Sequence, residues 1–161
     1  MSLIRDLATA VRTRVAPPLS EGQYSPDFTL EDQDGNTVHL FDYRGHHKVV
    51  LVFYPGDDTP TCTKQLCELR DTWSELQKEK VKVFGVNQAG RASKKKFEQN
   101  HNFPFPLLSD PGALVSREFQ SAMPGITLTL RTVYVVGEDG KILFSRPGKP
   151  AVSDILAAIR A

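Results

Sequence analysis

The chain has 161 residues, 40% of them hydrophobic, which is enough for one domain with a substantial buried core. Its 20 basic and 19 acidic side chains leave a formal net charge of +1, so no global field draws it to nucleic acid or to an anionic membrane. No run approaches the roughly 18 apolar residues of a spanning helix, and the N-terminus lacks the apolar core of a secretory signal, so a cytoplasmic protein with small-molecule or protein partners is expected.

Residues 2–15 place Leu3, Ile4, Leu7, Ala8, Val11 and Val15 at helical spacing before Pro17-Pro18 stop the helix. Residues 1–22 therefore read as an amphipathic helical extension. It is either packed on the domain or a partner, or it serves as an Arg-containing presequence. Residues 23–161 read as the domain itself. Phe28-Thr-Leu, the turn signal Asp34-Gly35-Asn36 and Val38-His-Leu40 suggest a short hairpin. Residues 48–54 (KVVLVFY) have the continuous apolar, β-branched and aromatic character of a central strand buried on both faces. Pro55-Gly56-Asp57-Asp58 breaks that strand, and Leu66, Leu69, Trp73 and Leu76 then recur at helical spacing.

Residues 81–86 (VKVFGV) read as a second buried strand and 91–100 as a polar helix on which Lys94-Lys95-Lys96 form a solvated face. Phe103-Pro-Phe-Pro-Leu-Leu follows as an extended segment, then a helix over 113–120, strands over 130–136 and 142–145 around a turn at 138–141, and a last helix over 153–160 capped by Ser153. Alternating strands and helices with some hairpins indicate an α/β domain, a mixed sheet covered by helices on both faces. His46, His47 and His101 are too dispersed from the cysteines for zinc spacing and read as surface residues.

Two cysteines are too few for a disulfide scaffold, so in a reducing compartment chemistry is the better explanation for the pair. Both lie in residues 54–67 (YPGDDTPTCTKQLC), where a buried strand gives way to a helix. Thr59 is a good N-cap, and Pro60 suits the first helical position, where a missing N–H costs nothing. That register puts Cys62 in the first turn, where unpaired amides and the positive end of the helix dipole favour thiolate over thiol. Asp57 and Asp58 push the other way, so the site requires a further positive charge.

Pro55-x-x-x-Thr59-x-x-Cys62 resembles the peroxiredoxin active-site motif, and the second cysteine five residues on is similar to the bacterioferritin-comigratory-protein, or Q-type, subfamily. The likeness runs from about Gln23 to the C-terminus, through 26–30 (PDFTL), 67–71 (CELRD), 105–110 (FPLLSD) and 131–136 (RTVYVV). It implies a thioredoxin-like fold and a thiol peroxidase with no metal or organic cofactor. By the same resemblance Cys62 is the nucleophile and Cys67 the resolving thiol. Thr59 is a hydrogen-bonding partner of sulfur and peroxide, Pro55 is a shield, and Arg131 is the second essential site residue. A guanidinium stays charged at any working pH, which suits it to hold a thiolate and to donate to peroxide oxygens. Gln65 and Leu66 depart from the subfamily, where a glutamate that helps orient the arginine and a small residue are usual; Thr61 replaces a common glycine.

The implied cycle is attack of Cys62 on a hydroperoxide, condensation of the sulfenic acid with Cys67, and reduction of the disulfide by thioredoxin or a similar dithiol protein, with the chain acting as a monomer. Blander readings stand beside it: Cys67 as an inert buried thiol, Thr59 as a cap alone, Arg131 in a surface ion pair. A disulfide oxidoreductase normally uses Cys-x-x-Cys, whereas the spacing here is Cys-x4-Cys. A peroxide-sensing or holdase protein on the same scaffold is the rival from another class, since a fold alone never decides function.

Overall fold

The structure is a computed structural model, and it describes residues 15–161; the expected helix over residues 2–15 lies outside the described residues apart from its last residue. Seven strands form one mixed sheet in the order β2-β1-β5-β4-β3-β6-β7. The predicted hairpin is β1 (Thr29–Asp32) paired antiparallel with β2 (Thr37–His39). A 3₁₀ turn over Leu40–Tyr43 leads to β3 (Val49–Phe53), which is buried at every position. Then come α1 (Pro60–Asp71), α2 (Trp73–Lys78), β4 (Lys82–Asn87), α3 (Arg91–His101) and β5 (Leu107–Ser109). A 3₁₀ turn (Pro111–Ala113), α4 (Leu114–Glu118), β6 (Thr132–Val136), β7 (Ile142–Pro147) and α5 (Val152–Arg160) complete the chain.

The apolar run of β3 is explained by its place between β4, parallel to it, and β6, antiparallel to it, in the sheet interior. Alternate residues go to opposite cores, as the two-residue period of a strand demands. Val50 and Val52 pack with Leu66 and Leu69 of α1, Phe97 of α3 and Ile155 and Ile159 of α5. Val49, Leu51 and Phe53 pack with Leu19, Phe28, Leu40 and Phe119. One face of the sheet thus carries most of the helices, while the other is covered by Leu19, Phe28, the Leu40–Tyr43 turn and the end of α4.

The last two helices start differently from expectation. α5 begins at Val152 with Ala151 as N-cap in an extended conformation (φ −62°, ψ 143°), so Ser153 sits inside the first turn and caps nothing. The predicted helix over 113–120 is broken near its start, because Gly112 and Ala113 are left-handed (φ 70° and 54°). The buried Asp110 carboxylate serves the opening amides of α4 instead, accepting from Val115 at 3.0 Å and Ser116 at 2.7 Å.

Candidate active site

The site forms at the carboxyl end of β3. Pairing of Phe53 with Thr132 brings the end of β3 against the start of β6, so residues following one strand neighbour residues preceding the other. This register brings Arg131 to Cys62 across 69 positions of sequence: the Arg131 Nη2 donates to the Cys62 Sγ at 3.0 Å. Cys62 is completely buried, and both cysteines are free thiols.

Asp58 turns the chain between β3 and α1 in a left-handed conformation (φ 56°) that aspartate tolerates better than most residues. Its carboxylate is held by His101 Nε2 at 3.1 Å and by Asn100 Nδ2 at 3.3 Å, both on α3. His101 is accordingly half-buried and stacked on Phe103. Thr59 has the extended backbone of an N-cap (φ −83°, ψ 147°) and Pro60 opens the helix. The first amide bonded to the Thr59 carbonyl is that of Thr63, at 2.8 Å, so those of Thr61 and Cys62 precede the helical ladder. The Thr59 hydroxyl makes no cap bond; it donates to the Gly56 carbonyl at 2.9 Å and makes no hydrogen bond to Cys62. Pro55 is half-buried, and its carbonyl accepts from Gln88 Nε2 at 3.0 Å.

Cys62 and Arg131 are thus brought into contact, while Cys67 lies on the same unbroken α1 and faces the core formed around Leu66 and Leu69. Burial pushes the Cys67 thiol above its ordinary range, Asp71 adds to the rise, and Arg70 works against it. Gln65 is buried and its Oε1 has no hydrogen-bond partner among the described residues; the same holds for Arg131 Nε. Gln65 therefore does not orient the arginine. The order of this region comes from residues that motif reading passed over. Gln88 bridges two arms of the site, donating to Pro55 and accepting from the amide of Thr129, two residues before Arg131, at 3.1 Å. Thr129 Oγ1 in turn meets Ser116 Oγ at 2.9 Å, and Ser116 Oγ donates to Asp110 at 2.7 Å, all of it buried.

The expectation most directly overturned is that of Lys94. It is not on a solvated face: it is fully buried, with Asp57 Oδ1 at 3.3 Å, Tyr54 Oη at 3.4 Å and a contact to Asn87 Oδ1. Lys95, by contrast, is half-exposed and pairs with Asp34 at 2.8 Å. The 3.6-residue period explains the difference, since Lys94 lies three residues before the core residue Phe97 and on its side of the helix. Asp57 also accepts from Tyr54 Oη at 2.6 Å, Asn87 Nδ2 at 3.1 Å and Ser93 Oγ at 2.6 Å, so the two aspartates expected to burden the site are both engaged. Beside Arg131 lies an open groove of about 470 Å³ whose walls include Pro17, Gln120, Leu130, Thr132 and Pro147.

The AhpC/TSA family matches residues 22–145. The chain is 41% identical over 146 residues to the chloroplastic peroxiredoxin Q of Triticum aestivum, covering 86% of this chain and 66% of that one. It is 40% identical over 130 residues to a peroxiredoxin bcp of Coxiella burnetii, covering 75% and 83% respectively. It therefore spans a little under two thirds of the wheat relative's length and most of the bacterial one's. Among solved structures, peroxidoxin BcpB of Mycobacterium tuberculosis superposes with a TM-score of 0.82 at 30% identity, covering 88% of this chain and 97% of that chain. The bacterioferritin comigratory protein of Xanthomonas campestris, described for its alkyl peroxide reduction activity, gives 0.77 at 25% identity, covering 88% and 98%. The fold is thioredoxin-like, and the chain belongs to the AhpC/TSA family, within its peroxiredoxin Q or bacterioferritin-comigratory-protein branch.

Proposed function

We propose that the chain is a thiol-dependent peroxidase that reduces hydrogen peroxide and organic hydroperoxides. The observation that carries this reading is the 3.0 Å contact of Arg131 with the sulfur of a cysteine in the first turn of a helix. A fixed guanidinium there favours the anionic sulfur and is placed to donate to a peroxide held against it. The Cys62 thiolate attacks the terminal peroxide oxygen, an S–O bond forms as the O–O bond breaks, and the leaving oxygen departs as water or alcohol once protonated. Arg131 and the amide of Cys62 stabilise the charge moving onto that oxygen; Thr59 joins them by exchanging its bond to Gly56 for one to the peroxide. The groove beside Arg131 gives the organic part of a hydroperoxide somewhere to lie.

Cys67 then displaces water from the Cys62 sulfenic acid to give a disulfide, and a dithiol protein of the thioredoxin kind returns both thiols at the expense of its own oxidation. We take the protein to act as a cytoplasmic monomer, which light scattering checks. Rapid mixing with hydrogen peroxide, followed by intact-mass and peptide analysis, should show a Cys62–Cys67 cross-link. With thioredoxin and its reductase present, each enzyme molecule should remove many equivalents of peroxide. A single oxidation without turnover would instead identify a sensor. Arg131→Met keeps the apolar stem and removes the charge, so Cys62 oxidation should slow by about 10²–10³ with the fold retained. Wild-type kinetics in this variant would exclude Arg131 from the reaction.

A further inference from the structure

Lys94 is a charge with no access to water, and nothing in the proposed cycle uses it. A buried ammonium is costly unless paired and hydrogen-bonded, and here the pairing is close to complete. The groups facing it come from every neighbouring element: Tyr54 and Asp57 after β3, Asn87 at the end of β4, and the carboxylate of Asp110 after β5 at longer range. Asp57 is equally enclosed, with its side chain 5% exposed. Tyr54, bonded to Asp57 at 2.6 Å, lies within electrostatic reach of Cys62 and shares its core. A carboxylate in the loop that leads to Cys62 opposes a thiolate there, and a paired ammonium offsets that charge.

We propose that Lys94 is a positioning residue for the thiol site. Its ammonium cancels the charge of Asp57, so that Cys62 ionises beside the positive charge of Arg131 with no uncompensated carboxylate in the loop that leads to it. The proposal rests on Cys62 being the peroxide-reactive thiol. Because Asp57 holds four donors, of which Lys94 is one, the loop keeps most of its bonds when the ammonium is lost, and the change is chiefly one of charge. Burial lowers Lys94 to about 8, while Asp57 and Asp110 pull it upward. The cluster of Lys94 and Asp57 therefore passes from neutral to net negative as pH rises through about 8. In the unfolded chain the lysine keeps its proton to higher pH, so between about 8 and the ordinary lysine range this titration favours the folded state.

The test compares wild type, Lys94→Met, Asp57→Asn and the double variant for the rate of Cys62 oxidation by hydrogen peroxide, read by quenched intact mass, and for thiolate absorbance against pH. Lys94→Met should oxidise about tenfold more slowly, with its thiolate absorbance appearing at higher pH, because it leaves Asp57 charged and unpaired. The double variant removes both charges and should recover, in rate and in thiolate titration, to within about threefold of wild type. If Lys94→Met does not fold, Lys94→Gln takes its place, with the same outcomes expected. Wild-type rate and titration in Lys94→Met, or a double variant as slow as the single one, would each overturn the proposal. Failure of wild type itself to oxidise at Cys62 would sink the peroxidase reading instead.

Discussion

Cys62→Ser should be a folded protein with no measurable peroxide turnover. The exchange replaces one buried sulfur by a smaller oxygen at the start of α1, a change the packed core of Leu66, Leu69 and Val52 should tolerate. The loss is chemical. A serine hydroxyl is hardly ionised near neutral pH, even 3.0 Å from a guanidinium, and it cannot be oxidised as sulfur is. Arg131 keeps its charge and the groove keeps its shape, so binding of peroxide without reaction is the expected residue of function. Peroxide consumption with thioredoxin and its reductase measures this directly, and the circular dichroism spectrum should match that of wild type. More than a trace of turnover would remove Cys62 from its assigned place, and with it the reading of the whole site.

The second large effect concerns α1, which should lose part of its helix in each catalytic cycle. Residues five apart in a regular helix differ by about 7.5 Å along the axis and about 140° around it, which puts their Cα atoms roughly 8.5 Å apart. A disulfide tolerates no more than about 7 Å between Cα atoms, and these side chains diverge as well. Pro60–Asp71 is a continuous helix with both cysteines on it, so the cross-link cannot form until some of it unwinds. The outer turn is the weaker part: Thr59, Pro60 and Thr61 are exposed, whereas Glu68 is tied to Lys149 at 2.8 Å and Arg70 to the His101 carbonyl at 2.6 Å. Unwinding also relieves the partial burial that raises the Cys67 thiol, so a larger fraction of it is available as the attacking thiolate.

Amide exchange over residues 61–70 should accordingly be faster in the disulfide form than in the reduced one. Cys67→Ser should still undergo one oxidation at Cys62, keep the helix intact and lose at least about tenfold in thioredoxin-driven turnover. Equal protection of the segment in both redox states would exclude unwinding. Undiminished turnover by Cys67→Ser would remove Cys67 from the mechanism.

Much of this was legible in the order of residues, because the informative features were local. Strand β3 declares itself by an apolar run, and the start of α1 by Thr59-Pro60; both depend only on near neighbours and on backbone chemistry. Cys62 at a helix start follows from the same few residues. Arg131 could be named only through resemblance, since its contact with Cys62, 69 positions away in sequence, is created by the pairing of β3 with β6.

Charge placement was the least legible part, for a physical reason. Three consecutive lysines look alike as a string, but a helix turns each by about 100°, and which one faces the core depends on where the helix lands on the sheet. Tertiary packing sent Lys94 inward to meet Asp57 and left Lys95 outside with Asp34. The same packing gave the α4 amides to Asp110 and left Gln65 Oε1 without a hydrogen-bond partner among the described residues. The sequence by itself determined which atoms can react and which segments become strands or helices. Only the tertiary structure decided which charges stand around the reacting sulfur, because a carboxylate and an ammonium 37 positions apart form a buried pair only when the chain folds them out of water together.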